Sequence, residues 1–174
     1  ENEYLKLLNF HKYTSKIITD KAPQNFRWIG FMKIFFPNCK IIHCNRDAKD
    51  NCLSIFKNNF PSTHMDWSFS QKDIADYYNL YFELMKFWSL KIPNEIYNAN
   101  YKNIVNDKEA EIKKIIKFCG LEWDSSCLNH HKNNKTPIRT VSVTQARKPI
   151  YSSSLNSNNN YTQYLSELFN ALNN

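Results

Sequence analysis

Arg46 and Ser54 are the residues of this 174-residue chain whose types and spacing point most directly to chemistry. They open and close the stretch Arg46-Asp47-Ala48-Lys49-Asp50-Asn51-Cys52-Leu53-Ser54, which follows the apolar run Lys40-Ile41-Ile42-His43-Cys44. The arginine therefore ends a short strand, and the hydroxyl comes two helical turns later. A helix start offers free N–H groups and the positive end of its dipole; a guanidinium adds a bidentate fork, and a serine on the same face adds one more donor. Together they would make an anion site. The same residues also fit a plainer arrangement, in which Asp47 or Asn45 caps the helix and Arg46 pairs with a surface acid.

Charge favours an anionic partner without naming it. Twenty-three Lys plus Arg against 16 Asp plus Glu give a net charge of +7, and only Arg27, Arg46, Arg139 and Arg147 are arginines. Two glycines in the whole chain leave no room for a glycine-rich phosphate loop. Five cysteines, an odd number with no C-x-x-C pair, read as buried free thiols in a reducing, cytoplasmic setting, and their spacing to His43, His130 and His131 does not suit zinc. No metal is expected. Every apolar run is interrupted well short of a membrane span. The opening Glu1-Asn2-Glu3-Tyr4 has no initiator Met, basic stretch or apolar core, so a piece of a longer protein is expected.

The elements that must position these residues follow from periodicity. Residues 16–20 (Lys-Ile-Ile-Thr-Asp) are β-branched and predict a first strand, and Pro23 opens a helix through Phe26, Ile29, Met32, Lys33 and Phe36 that Pro37 stops. A second strand at 40–44 leads into a helix bearing Cys52, Leu53, Ile55, Phe56 and Phe60. Ser70, with Asp73 three positions on, predicts the cap of a long helix to about Leu90, whose face of Ile74, Tyr77, Tyr78, Tyr81, Leu84, Met85 and Trp88 reads as core rather than a platform for stacking bases. A third strand at 95–100 and a helix at 107–118 ending on Gly120 complete the alternation. Beyond it, Trp123-Asp124-Ser125 caps a short helix to His130, residues 132–148 form a basic irregular stretch suited to a lid, 152–160 form a solvated loop, and 161–172 form a last amphipathic helix. Strands alternating with helices in one domain predict α/β with a parallel sheet.

With these elements laid out, the chain resembles the sulfotransferases that use 3′-phosphoadenylyl sulfate (PAPS), above all the bacterial branch often fused to tetratricopeptide repeats and related to tyrosylprotein sulfotransferases. Four ordered segments carry the resemblance: Thr19-Asp20-Lys21-Ala22-Pro23-Gln24-Asn25-Phe26; Phe36-Pro37-Asn38-Cys39-Lys40-Ile41-Ile42-His43 with Arg46-Asp47 and Cys52-Leu53-Ser54; Phe118-Cys119-Gly120-Leu121-Glu122-Trp123-Asp124; and Gln145-Ala146-Arg147-Lys148-Pro149-Ile150-Tyr151. The resemblance implies a P-loop-NTPase-like three-layer fold, with residues 1–174 forming part of the domain and the 5′-phosphosulfate loop lying upstream of Glu1. It also implies PAPS or adenosine 3′,5′-bisphosphate as nucleotide, an acceptor that is a peptide, glycan or small molecule, and a tetratricopeptide-repeat region elsewhere in the protein.

Residue by residue, the resemblance implies that Arg46 and Ser54 hold the nucleotide's 3′-phosphate, in agreement with the anion-site reading. It places Lys21, otherwise an ordinary solvated lysine, on the transferring sulfuryl group. Tyr101 is similar to the tyrosine that packs on adenine, with Lys102 where an acid usually follows; Ser142 is similar to a nucleotide-contacting position, and Arg147 and Lys148 stand nearby as phosphate or acceptor contacts. The chain departs from the family at Asn156-Ser157-Asn158-Asn159, where relatives usually carry a Gly-Arg-Trp-Arg-like turn, so that either Lys148 supplies the missing charge or the copy is a degenerate relic. A nucleotide or sugar kinase shares the architecture but not the Asp-Lys-x-Pro turn. A basic nucleic-acid-binding module shares the charge, but its aromatics would have to leave the core faces.

Overall fold

The structure, a computed structural model, describes residues 17–60, 63–132 and 147–172 together with Glu3 and Lys6. Apolar five-residue runs make two strands, β1 (Ile41–Asn45) and β2 (Ile96–Asn100), which pair in parallel with Asn45 opposite Asn100. Before, between and after them come helices α1 (Ile29–Phe35), α2 (Ala48–Phe56), α3 (Gln71–Lys91), α4 (Tyr101–Asn106), α5 (Lys108–Phe118) and α6 (Ser166–Ala171). The strands' alternation puts opposite faces against different helices. His43 and Asn98 face α3, where His43 Nδ1 lies 2.7 Å from Asn98 Oδ1 and Nε2 meets the Tyr81 hydroxyl. On the other face the Tyr97 ring lies 5.4 Å from that of Phe118 at the end of α5. Helix, sheet and helix form the three layers expected of an α/β fold.

Local chemistry explains most boundaries. The Ser70 hydroxyl accepts the Asp73 amide at 3.2 Å and starts α3, and Asp107 accepts the Ala110 amide at 3.1 Å and starts α5. Gly120, at φ 70°, ends α5 in a left-handed turn, with the Leu121 amide bonded back to Ile116 and that of Gly120 to Lys117. Gly30 serves a different need, because a Cβ there would stand 2.5 Å from the Trp88 ring, so the start of α1 can approach α3 only without a side chain. The core lies among α2, α3 and the C-terminal segment, where Cys52, Leu53, Ile74, Ala75, Leu165, Leu168, Phe169 and Leu172 are buried together. The tyrosines of α3 are core as expected: Trp67 stacks on Tyr77 at 4.0 Å, and Phe26 meets Tyr81 edge-on at 5.1 Å.

Several expectations need correction. Ile17 to Asp20 form no strand, and both isoleucines are exposed; β-branched residues raise the tendency, but a strand exists only with a partner, and none among the described residues pairs with this segment. The helix from Pro23 is a 3₁₀ turn (Pro23–Trp28) before it becomes α1, and α2 stops at Phe56 rather than reaching Phe60. The expected helix over 161–172 is shorter, with a 3₁₀ turn (Ser157–Tyr161) and turns before α6. All five cysteines are free, but only Cys52 is fully buried and Cys44 is exposed. Residues 152–160 are only in part a solvated loop: Ser152, Ser153, Asn156, Asn159 and Asn160 are exposed, but Asn158 is buried against α2, for a reason given by Asp50 below. Among the described residues no helix is long and apolar enough to cross a membrane, and no three His, Cys, Asp or Glu gather to hold a metal ion.

Candidate functional site

The site is built at the carboxyl ends of the two parallel strands, the place where open α/β sheets receive ligands. Because Asn45 and Asn100 are register partners, the next residues, Arg46 and Tyr101, leave the sheet side by side. Both reach one strap of chain, residues 148–158. The Tyr101 hydroxyl donates to the Tyr151 carbonyl at 2.8 Å, and Arg46 Nη2 donates to the Ser154 carbonyl at 2.8 Å. Farther back, His130 Nε2 donates to the Lys148 carbonyl at 3.2 Å. These bonds bring Arg46, Tyr101 and Lys148 of the expected residues to one strap; Arg147 precedes it, and both basic side chains are exposed.

Asp47 caps α2, accepting the Asp50 amide at 2.9 Å, so the plain capping arrangement is present. Arg46, however, has no surface acid as partner among the described residues. Its Nη2 also reaches the Asp50 carbonyl at 3.2 Å and lies 3.9 Å from the Asp50 carboxylate, while its Nε is buried with no hydrogen-bond partner among the described residues. A buried guanidinium donor left open is what an anion would satisfy. Ser54, half-buried, stands at the end of the second turn of the same helix. Two carboxylates at this helix start offset its dipole, so the positive character of the site rests on Arg46 and on the exposed Arg147 and Lys148.

Lys21 is exposed, in the extended lead-in to Pro23. What fixes that lead-in is the following turn, where Phe26 packs edge-on against Tyr77 and Tyr81 of α3 and Gln24 Nε2 donates to the Met65 sulfur at 3.6 Å. Ser142 lies outside the described residues.

Two features escaped the sequence. One is the His43 cluster, in which Nδ1 lies against Asn98 Oδ1 and Nε2 against the Tyr81 hydroxyl. Burial pushes the Tyr81 hydroxyl up to about 12. The other is Asp50, 1% exposed, whose carboxylate accepts from the Asn156 amide (2.7 Å), the Ser157 hydroxyl (2.9 Å), the Asn158 amide (2.9 Å) and the Asn158 side chain (3.0 Å). Its distance of one helical turn from Arg46 was the available signal.

Burial alone would raise the Asp50 carboxyl, but its hydrogen bonds from Asn158, Ser157 and Asn156 outweigh that and hold it below the usual carboxylate range. A depressed carboxyl stabilises the fold fully above its unfolded value, about 3.9, and loses that contribution as pH falls through the lower folded value. Asp50→Asn should therefore flatten the fall in stability between about pH 5 and pH 3, read as urea midpoints across that range. An unchanged slope in the variant would remove Asp50 from the acid response.

Comparison with known proteins places the chain: a profile for the Sulfotransferase family matches residues 1–125, and the chain belongs to that family. It is 33% identical to an uncharacterised protein of Aquifex aeolicus (strain VF5) over 157 residues, covering 89% of this chain and 20% of that protein. It is 25% identical to a protein-tyrosine sulfotransferase of Drosophila melanogaster over 153 residues, covering 84% of this chain and 30% of that protein. The chain thus spans less than a third of the length of either relative.

Proposed function

We propose that this chain is the nucleotide-holding part of a PAPS-dependent sulfotransferase domain, which moves a sulfuryl group from PAPS to a hydroxyl or amine of its acceptor. The bond from sulfur to the phosphate oxygen breaks, a bond from sulfur to the acceptor atom forms, and the acceptor's proton passes to a base. In this reading Arg46 and Ser54 take the 3′-phosphate, Tyr101 lies along the adenine, and Ser142, Arg147 and Lys148 complete the nucleotide's surroundings. Lys21 neutralises charge on the transferring group, as electrostatic catalysis of group transfer requires. The protein-tyrosine activity in the name of the Drosophila relative makes a phenolic hydroxyl the first acceptor to try. A cytoplasmic setting and a tetratricopeptide-repeat neighbour belong to the same proposal.

One observation carries the reading: Arg46 and Tyr101 emerge together at the carboxyl edge of the sheet, and Arg46 keeps a buried donor open. The test is calorimetric titration of the chain with adenosine 3′,5′-bisphosphate. Loss of charge-assisted bonds in Arg46→Ala should weaken binding about 10- to 100-fold. Equal affinity in the variant, or no binding by the parent chain, would overturn the proposal.

A further inference from the structure

Asp50 is the most heavily bonded buried charge in the described molecule, and its donors are all neutral: two backbone amides, a hydroxyl and a carboxamide. They come from one turn, Asn156 to Asn158, more than a hundred residues away in sequence. Asn156 sits at φ 56°, a left-handed conformation that asparagine tolerates better than other non-glycine residues, and it aims the neighbouring amides inward as a small anion-binding nest. The carboxylate is the anion in that nest.

Arg46 belongs to the same closed loop. Its Nη2 is bonded to the Asp50 carbonyl and to the Ser154 carbonyl, two residues before the turn that Asp50 holds. The guanidinium cannot swing without giving up a bond to α2 or to the strap. Its buried Nε therefore points where Asp50 and the strap leave it. The carboxylate, 3.9 Å from Arg46, would ordinarily compete with an incoming anion for that charge. Here four neutral donors already engage its oxygens, and the guanidinium remains available. This gives a physical account of the unusual Asn-Ser-Asn turn: it supplies hydrogen-bond donors to Asp50 with no added charge.

We propose that Asp50 is a positioning residue, which sets Arg46 for the 3′-phosphate by clamping the Asn156–Asn158 turn; the proposal rests on the nucleotide reading above. A clamp of this kind acts on one phosphate and not on the nucleotide as a whole. The experiment compares adenosine 3′,5′-bisphosphate with adenosine 5′-monophosphate by calorimetry, on the parent chain, Asp50→Asn and Ser157→Ala.

The parent should prefer the bisphosphate. Asp50→Asn, whose new NH₂ faces donors, should lose at least about tenfold of that preference while binding of the monophosphate changes little. Ser157→Ala removes one donor without touching Arg46 and should lose about three- to fivefold in the same direction, which keeps the test decisive if Asp50→Asn fails to fold. A bisphosphate preference retained or increased in the variants would overturn the positioning role while leaving the nucleotide reading intact, because Asp50 would then act only as a counter-charge. Absence of any preference in the parent would overturn both.

Discussion

On the proposed sulfotransferase reading, replacing Lys21 with alanine is expected to slow sulfuryl transfer by about 10²- to 10³-fold with little change in the affinity for PAPS. The physical ground is where charge develops. In an in-line displacement negative charge builds on the leaving phosphate and on the oxygens of the group in flight, so a cation at that point is worth more in the transition state than in the bound ground state. Lys21 is exposed and stands two residues before Pro23, at the foot of a turn pinned to α3 by Phe26. That gives it a fixed root and a mobile ammonium, suited to following a moving charge. The measurement is turnover of the full-length protein with PAPS and a tyrosine-containing peptide, with Lys21→Arg as the charge-retaining control. A kcat within threefold of the parent in Lys21→Ala would remove Lys21 from the chemistry. An equal loss in kcat/KM and in nucleotide affinity would make it a binding residue instead.

What the sequence made legible was local. Ser70 with Asp73, and Gly120, each report a bond made within a few residues, and the structure has those bonds. The strands of Ile41–Asn45 and Ile96–Asn100 were legible because both are short apolar runs between helical patterns. The segment at 16–20 is rich in β-branched residues, yet residues 17–20 form no strand, since composition cannot say whether a partner strand lies alongside.

The strap shows the converse failure. Asn and Ser bond as well to a buried carboxylate as to water, so a run of them from 156 to 160 reads as solvated until Asp50 is found beneath it. Arg46 was legible as a candidate anion ligand from its type and place, but its bond to Ser154, at a separation of 108 residues, was not legible.

Leu168→Ala carries the largest expected effect on stability, about 2 to 5 kcal/mol, because the side chain is fully buried and truncation leaves a cavity as well as losing transfer energy. Its neighbours explain why little relaxation is available. Leu165, Phe169 and Leu172 of the C-terminal segment close on Cys52 and Leu53 of α2 and on Ile74 and Ala75 of α3, so collapse would have to move three helices. Polar ties hold the same segment in register: Gln71 accepts the Leu168 amide at 3.3 Å and donates to the Tyr164 carbonyl at 3.3 Å, and Asn79 donates to the Ala171 carbonyl at 2.8 Å. Urea unfolding followed by tryptophan fluorescence should show the midpoint fall with the slope unchanged, whereas Leu90→Ala, at a side chain 75% exposed, should move stability by less than about 0.5 kcal/mol. The consequence reaches the site, because the turn over Asp50 leads directly into this segment. A loosened α6 lets the strap leave Arg46 before the domain unfolds, so nucleotide affinity in Leu168→Ala should fall at urea concentrations where fluorescence is still native. A Leu168→Ala protein as stable as Leu90→Ala would mean that the C-terminal segment is a passenger on the fold, and that the strap is held by its own bonds to Asp50, Arg46, Tyr101 and His130.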